Sequence, residues 1–100
     1  MNEEDKKKLE ESKTERQKKL AEVTRMMNSI DRHIVNEDKE KVNEMMEKMR
    51  KSFDDFENLH QRYHDLLTDD NLIDVSDNYF FKAQNDYVAA MKKAKEFING

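Results

Sequence analysis

The chain has 100 residues, of which 35% are hydrophobic and 42% are charged, and its net charge is −4. A chain this short and this polar can bury only a thin stripe of apolar side chains between helices. It contains no Cys, which excludes disulfides, thiolate nucleophiles and Cys-based zinc sites.

The N-terminal segment, residues 1–16, mixes acidic and basic residues. Extending the apolar stripe of the first helix backwards from Leu20 meets Arg16 and Lys13, which are both polar. We therefore expect a solvated or frayed helical extension ahead of a single bundle domain at residues 17–99. No stretch resembles a signal peptide or approaches the roughly 20 apolar residues of a membrane span. We therefore expect an intracellular, cytoplasmic protein.

The first predicted helix covers about residues 5–34, and the second covers about residues 38–68. In both helices apolar residues recur at alternating steps of three and four, which is typical of helices packed lengthwise. The two stripes differ in phase, and the slip falls at Val35-Asn36-Glu37-Asp38, which predicts a turn at residues 35–38. The alternative is one unbroken helix over about residues 5–68, packed as a hairpin on a shorter C-terminal helix, because neither Gly nor Pro interrupts this stretch.

The third predicted helix covers about residues 75–98. It follows the polar cluster Thr68-Asp69-Asp70-Asn71, whose residues favour turns. We expect Asp74 or Ser76 to be the N-cap of this helix. Three helices joined by two short turns predict an all-α fold, an up-down-up antiparallel three-helix bundle that is coiled-coil-like in its packing.

The apolar stripes define a core and leave a few large apolar side chains at its margin. Since three stripes hold more apolar residues than one thin core needs, the remaining ones are candidates for contacts with a partner. These partner-binding candidates are Met26, Met45, Leu59 and Leu66. The predicted core consists of Val23, Met27, Ile30, Val42, Met46, Met49, Phe53, Phe56, Tyr63, Leu67, Phe80, Tyr87, Met91 and Ala94.

The signals for metal binding or catalysis are weak. His60 and His64 stand four residues apart, as metal ligands on a helix do, but neither an HExxH motif nor a second His or Cys pair accompanies them. The alternative to a metal is a partly buried, hydrogen-bonded His60 beside a surface His64. Ser29, Asp31 and His33 resemble a triad in composition, yet a Gly-free helix offers no oxyanion hole. We therefore predict that the protein is not an enzyme and uses no cofactor or metal.

Lysine clusters at residues 6–8 and 18–19 raise the alternative of binding to nucleic acid or to an anionic membrane surface. Acidic residues interleave with these lysines and cancel much of their field. No aromatic residues alternate with them to form a base-stacking platform. We therefore expect a solvated charged helix here. We expect a protein partner to bind elsewhere, either a second copy of the chain or another protein.

The aromatic positions of the second and third helices resemble a known family. The runs FDDFENLHQRYHDLLTDD and SDNYFFKAQNDYVAAMKKAKEFI are similar to the helical domain of unknown function in the gag-like N-terminal region of BEL/Pao-type LTR-retrotransposon polyproteins. The stretch LAEVTRMMNSID fits the preceding helix more loosely, so the resemblance covers about residues 20–98. It implies a gag-type structural module, or a host protein derived from one, that works through self-association and has no catalytic residues in this region. The positions that carry it are Phe53, Phe56, His60, Asp69, Asp70, Tyr79, Phe80, Tyr87 and Lys93-Ala94-Lys95.

Overall fold

The chain forms three α-helices, and the computed structural model describes residues 2–100. Helix α1 spans Glu3–Val35, α2 spans Lys39–Asp65 and α3 spans Asp70–Asn99. Because each connection is only a few residues long, consecutive helices run antiparallel, and every helix contacts the other two. The bundle measures 53 × 20 × 16 Å. The predicted all-α, up-down-up three-helix bundle is confirmed, and the alternative of a single helix over residues 5–68 is wrong.

A Schellman turn ends α1 without using a glycine. The amide of Glu37 donates to the carbonyl of Ile34 at 3.0 Å, and the amide of Asp38 donates to the carbonyl of His33 at 2.9 Å. Glu37 adopts the left-handed conformation, with a φ of 57°, which costs a residue other than Gly roughly 1–2 kcal/mol. Asp38 then caps α2, since its Oδ1 accepts a hydrogen bond of 3.1 Å from the amide of Lys41. The phase slip in the sequence therefore marks a real turn.

The second connection differs from its prediction. Helix α2 ends at Asp65 instead of residue 68, and α3 begins at Asp70 instead of residue 75. The N-cap of α3 is Asp69, whose Oδ1 accepts hydrogen bonds of 2.8 and 3.3 Å from two amides of the first turn. The prediction of Asp74 or Ser76 as the cap was wrong, because Asp69 already satisfies the free amides and Ser76 lies buried within the helix.

The N-terminal segment is helical from Glu3 onward. Asn2 caps α1, and its Oδ1 accepts a hydrogen bond of 2.8 Å from the amide of Asp5. Most side chains of residues 3–15 are exposed, but Arg16 is only 4% exposed. The expectation that Arg16 is solvated was wrong, because tyrosines from α2 and α3 cover its guanidinium group.

The core is a stripe of apolar side chains along the bundle axis. Phe53 stacks on Tyr87 with ring centroids 4.1 Å apart, and Phe56 stacks on Phe80 at 6.0 Å. Among the predicted core residues, Met27, Phe80 and Tyr87 are only half-buried. No helix within residues 2–100 combines the length and the apolar character that crossing a bilayer requires. The buried residues are Val23, Ile30, Val42, Met46, Met49, Phe53, Phe56, Tyr63, Leu67, Ala83, Met91 and Ala94, with the polar Arg16, Ser52, His60 and Ser76.

Candidate functional site

An arginine clamp, formed by Arg16, Tyr63 and Tyr79, joins all three helices. The guanidinium carbon of Arg16 in α1 lies 4.1 Å from the ring centroid of Tyr63 in α2. It lies 4.0 Å from the ring centroid of Tyr79 in α3. A desolvated cation between two aromatic faces is attracted to both ring quadrupoles. One side chain of α1 therefore holds α2 and α3 together at this end of the bundle.

Two polar side chains complete the surroundings of the arginine clamp. Arg16 Nη1 donates to His60 Nδ1 at 3.1 Å and to Ser76 Oγ at 3.2 Å. Because a guanidinium group has only donors, His60 Nδ1 accepts with its lone pair, and the proton of the neutral ring lies on Nε2. Ser76 Oγ also lies 3.4 Å from Nδ1 of His64. Arg16 Nε is the only buried side-chain nitrogen or oxygen within residues 2–100 that has no hydrogen-bond partner.

The surroundings of His60 favour its neutral form. Its pKa falls from 6.5 to about 4, first because burial disfavours the charged ring and then because Arg16 and His64 lie close to it. Asp77 acts in the opposite direction, but its Oδ1 lies 3.8 Å from Nδ1 of His64. Burial also lowers the pKa of Arg16 from its usual value, which the two clamp tyrosines partly oppose. A proton on His60 would therefore place two positive charges in direct contact inside the bundle.

The two predicted metal candidates, His60 and His64, both lie beside the arginine clamp. Their ring centroids are 5.6 Å apart. The guanidinium group of Arg16 engages Nδ1 of His60, and its charge repels a second cation. Across residues 2–100, no group of three or more His, Asp or Glu side chains is arranged to hold a metal ion. This geometry serves packing between helices better than metal coordination.

The serine–histidine pair of α1 forms as a local contact. Ser29 Oγ lies 3.3 Å from Nε2 of His33. Asp31, the acid between them in sequence, accepts a hydrogen bond of 3.0 Å from Nζ of Lys93 and so links α1 to α3. Asp31 therefore pairs with Lys93 and not with the imidazole of His33, so these side chains do not form a catalytic triad.

The partner-binding candidates of the sequence analysis are mostly covered. Met26 and Met45 pack against the core, and Leu59 is half-buried. Leu66 is 39% exposed. Sequence reasoning missed the more exposed apolar side chains of α3. Their position off the core stripe of that helix was a signal that could have identified them. These residues are Leu72, Val75, Phe81 and Val88, which are 47, 64, 55 and 56% exposed.

A groove of about 740 Å³, here called the α2–α3 groove, runs between α2 and the C-terminal half of α3. Its lining combines apolar side chains with three cations and one carboxylate. Such a lining suits an apolar segment with acidic flanks, because both shape and charge would then be complementary. The lining residues are Arg50, Tyr87, Val88, Met91, Lys92, Lys95, Glu96 and Asn99.

The N-terminal lysines lie on the solvated side of α1. Lys6, Lys7, Lys8 and Lys18 are exposed among acidic neighbours. Lys19 Nζ contacts Glu22 at 2.7 Å, and this hydrogen bond raises its pKa. These cations therefore do not form a separate basic face.

Comparison with known proteins does not assign the chain to a family or to a function. No family model, curated protein or solved structure matched the chain. The arginine clamp, the α2–α3 groove and the exposed side chains of α3 are therefore the features from which a function can be inferred.

Proposed function

We propose that the chain is a non-enzymatic structural module that acts through helical self-association. The exposure of large apolar side chains on α3 is the observation that carries this proposal. Phe81 is 55% exposed and Val88 is 56% exposed. They stand seven residues apart, or about two helical turns, and so lie on one face of α3. Apolar side chains grouped on one face of a strongly charged surface are typical of an interaction site.

The charge distribution of the chain favours a second copy as the partner. The α2–α3 groove presents Arg50, Lys92 and Lys95, and so favours a partner with acidic residues beside an apolar segment. The chain itself offers such a segment, because residues 51–78 contain many more acidic than basic side chains. An acidic end and a basic groove on the same molecule are complementary when two copies meet.

The arrangement of the polar residues supports a role without catalysis. His60 is held in contact with Arg16, and its low pKa opposes protonation near neutral pH. Ser29 and His33 meet on the surface of α1 without Asp31, which pairs with Lys93. Neither constellation positions a nucleophile with a base and an orienting acid. Both are accounted for as contacts within and between helices.

The resemblance to the gag-like helical domain of BEL/Pao-type polyproteins supports self-association by analogy. Three residues of α2 that carry part of that resemblance stack on aromatic rings of α3. Phe53 stacks on Tyr87, and Phe56 and His60 both stack on Phe80. We propose on this basis a gag-type module or a host protein derived from one. A zinc knuckle or a protease encoded downstream in the same genomic element would support this origin. A gene with no retroelement sequence around it would count against a module of an intact element and leave only the derived host protein.

Sedimentation velocity over a dilution series tests the proposed self-association. We expect the weight-average mass to rise from monomer towards dimer between about 1 μM and about 1 mM, the range in which small interfaces act. A monomer at every concentration in this range would contradict the proposal. Circular dichroism at both ends of the series should show the same helix content, so that the change in mass reports association and not unfolding.

A further inference from the structure

One largely exposed face of α3, which borders the α2–α3 groove, carries its charges in a directional order. We call this the outward face of α3. Its positions follow one another at steps of three, four or seven residues, which keeps them on one side of a helix. The acids occupy its beginning, the apolar residues its middle and the lysines its end. The outward face consists of Asp70, Asp74, Asp77, Phe81, Val88, Lys92 and Lys95.

This order has a centre of symmetry between Gln84 and Asn85. Asp74 and Lys95 lie at equal distances in sequence from that centre, on opposite sides. The same relation connects Asp77 with Lys92, and Phe81 with Val88. When a second α3 is laid antiparallel across the first, Asp74 therefore faces Lys95 of the other copy. In the same way Asp77 faces Lys92, and Phe81 faces Val88. A two-fold axis makes every one of these contacts twice.

We propose that two copies of the chain pair through the outward faces of their α3 helices, antiparallel and centred between Gln84 and Asn85. This inference rests on the proposed self-association and specifies its surface, orientation and register. A parallel pairing in the same register would place acid against acid and lysine against lysine, and so the charges select the antiparallel orientation.

Most charges of the outward face are available for such a partner. Within residues 2–100, neither Asp74 nor Lys95 belongs to an ion pair. The lysines on the other sides of α3 are engaged within the chain, since Lys93 pairs with Asp31 at 3.0 Å and Lys82 with Asp86 at 2.9 Å. Asp74 and Lys95 are therefore free to meet a second copy, whereas Oδ1 of Asp77 already lies 3.8 Å from Nδ1 of His64.

The α2–α3 groove adds apolar surface beside the outward face. Val88 belongs to both, and Tyr87 and Met91 continue the apolar lining towards α2. In the antiparallel arrangement Phe81 of the second copy approaches Val88 at the edge of this groove. The large apolar contacts are few, so we expect a dissociation constant in the micromolar range. The exposed charges contribute orientation and register more than affinity.

Charge reversal at Asp74 and Lys95 tests the pairing without touching the core. In Lys95→Glu, two symmetric attractions become repulsions, and we expect dimerisation to weaken about tenfold. Asp74→Lys should weaken it to a similar extent for the same reason. The double variant Asp74→Lys/Lys95→Glu restores opposite charges and should dimerise like the wild type. An equimolar mixture of the two single variants should form a heterodimer, because opposite charges again face each other at both pairs of positions 74 and 95.

Lys51→Glu is the matched control, because Lys51 is exposed on α2, off the groove, and forms no ion pair among the described residues. We expect its dimerisation to equal that of the wild type. A wild-type dimer that Lys95→Glu and Asp74→Lys leave unchanged would overturn the proposed surface while self-association stands. A wild type that is monomeric throughout would overturn both. Equal weakening by Lys51→Glu and Lys95→Glu would show an effect of net charge and would also overturn the surface.

Disulfide cross-linking tests the register directly, because the chain has no Cys. A cysteine introduced at the exposed Asn85 lies next to the proposed two-fold axis, so mild oxidation should convert most of the dimer to a covalent form. A cysteine at Lys51 should cross-link at least tenfold more slowly at the same concentration. Equal rates at both positions would contradict the register.

Discussion

Acidification should destabilise the bundle through His60, whose pKa lies at about 4 in the folded chain against 6.5 for an unperturbed histidine. Above pH 6.5 the ring is neutral in both states, and its contribution to stability is complete. Between pH 6.5 and about 4 the unfolded chain takes up a proton that the folded chain excludes, so the free energy of unfolding falls as the pH falls. Below about pH 4 the folded ring also takes up the proton, and this loss levels off.

The size of the effect follows from the gap between the two pKa values. At about 1.4 kcal/mol per pH unit, the interval from 6.5 to about 4 corresponds to a loss of about 3 kcal/mol. The main cause is burial of the ring, and the contact with Arg16 of α1 and the nearby His64 of α2 add to it. Asp77 of α3 opposes the shift. A loss of this size is a large fraction of the roughly 5–15 kcal/mol that stabilises a typical domain.

Urea unfolding at a series of pH values, followed by far-UV circular dichroism, measures this loss. His60→Gln is the control, because Gln does not titrate and its side-chain oxygen can still accept from Nη1 of Arg16. All other ionisable groups are common to both proteins, so the difference between the two stability curves isolates His60. We expect the wild type to lose about 3 kcal/mol more than the variant between about pH 7 and about pH 4. Parallel curves would refute the reasoning.

Three further predictions concern the core and the helix ends, each measured by urea unfolding. Phe56→Ala should lower the free energy of unfolding by about 3–5 kcal/mol, because Phe56 is fully buried, and Lys13→Ala should change it by less than about 0.5 kcal/mol. Equal effects would contradict the core assignment. Glu37→Gly should raise the free energy of unfolding by about 1 kcal/mol, since Gly adopts a φ of 57° without strain. A decrease would mean that Glu37 makes a stabilising contact that outweighs the strain. Asp69→Ala should lower the free energy of unfolding by about 1 kcal/mol through loss of the N-cap, whereas Asp74→Ala should have little effect. A larger loss for Asp74→Ala than for Asp69→Ala would mean that α3 begins near Asp74.

The helices and their turns were largely predictable, because the spacing of apolar residues depends on which face of each helix is buried. The phase slip located the first turn even though the chain has no internal glycine, since the Schellman hydrogen bonds tolerate Glu37 in the left-handed conformation. The start of α3 was misplaced because several acids in succession can each serve as an N-cap. Only the hydrogen bonds of Asp69 distinguish it from Asp74.

The arginine clamp could not be predicted from the periodicity of α1. Arg16 lies on the extended apolar stripe, but a charged residue at such a position is normally solvated. Its burial depends on Tyr63 and Tyr79, which belong to other helices and reach it only in the folded bundle. The exposed residues of α3 were missed for a different reason. Partner contacts were predicted for apolar residues at the margins of the core stripes, whereas Phe81 and Val88 lie well off the stripe of α3.

Small-angle X-ray scattering over a dilution series tests the central claim most directly, because it reports mass and shape together. At low concentration we expect a radius of gyration near the 16.0 Å of the single bundle. At high concentration the forward scattering per unit mass should double, while the longest dimension stays far below twice 53 Å, because side-by-side α3 helices widen the particle more than they lengthen it. Forward scattering that stays constant at all concentrations would contradict self-association, and doubling with a near-doubled length would contradict pairing through α3.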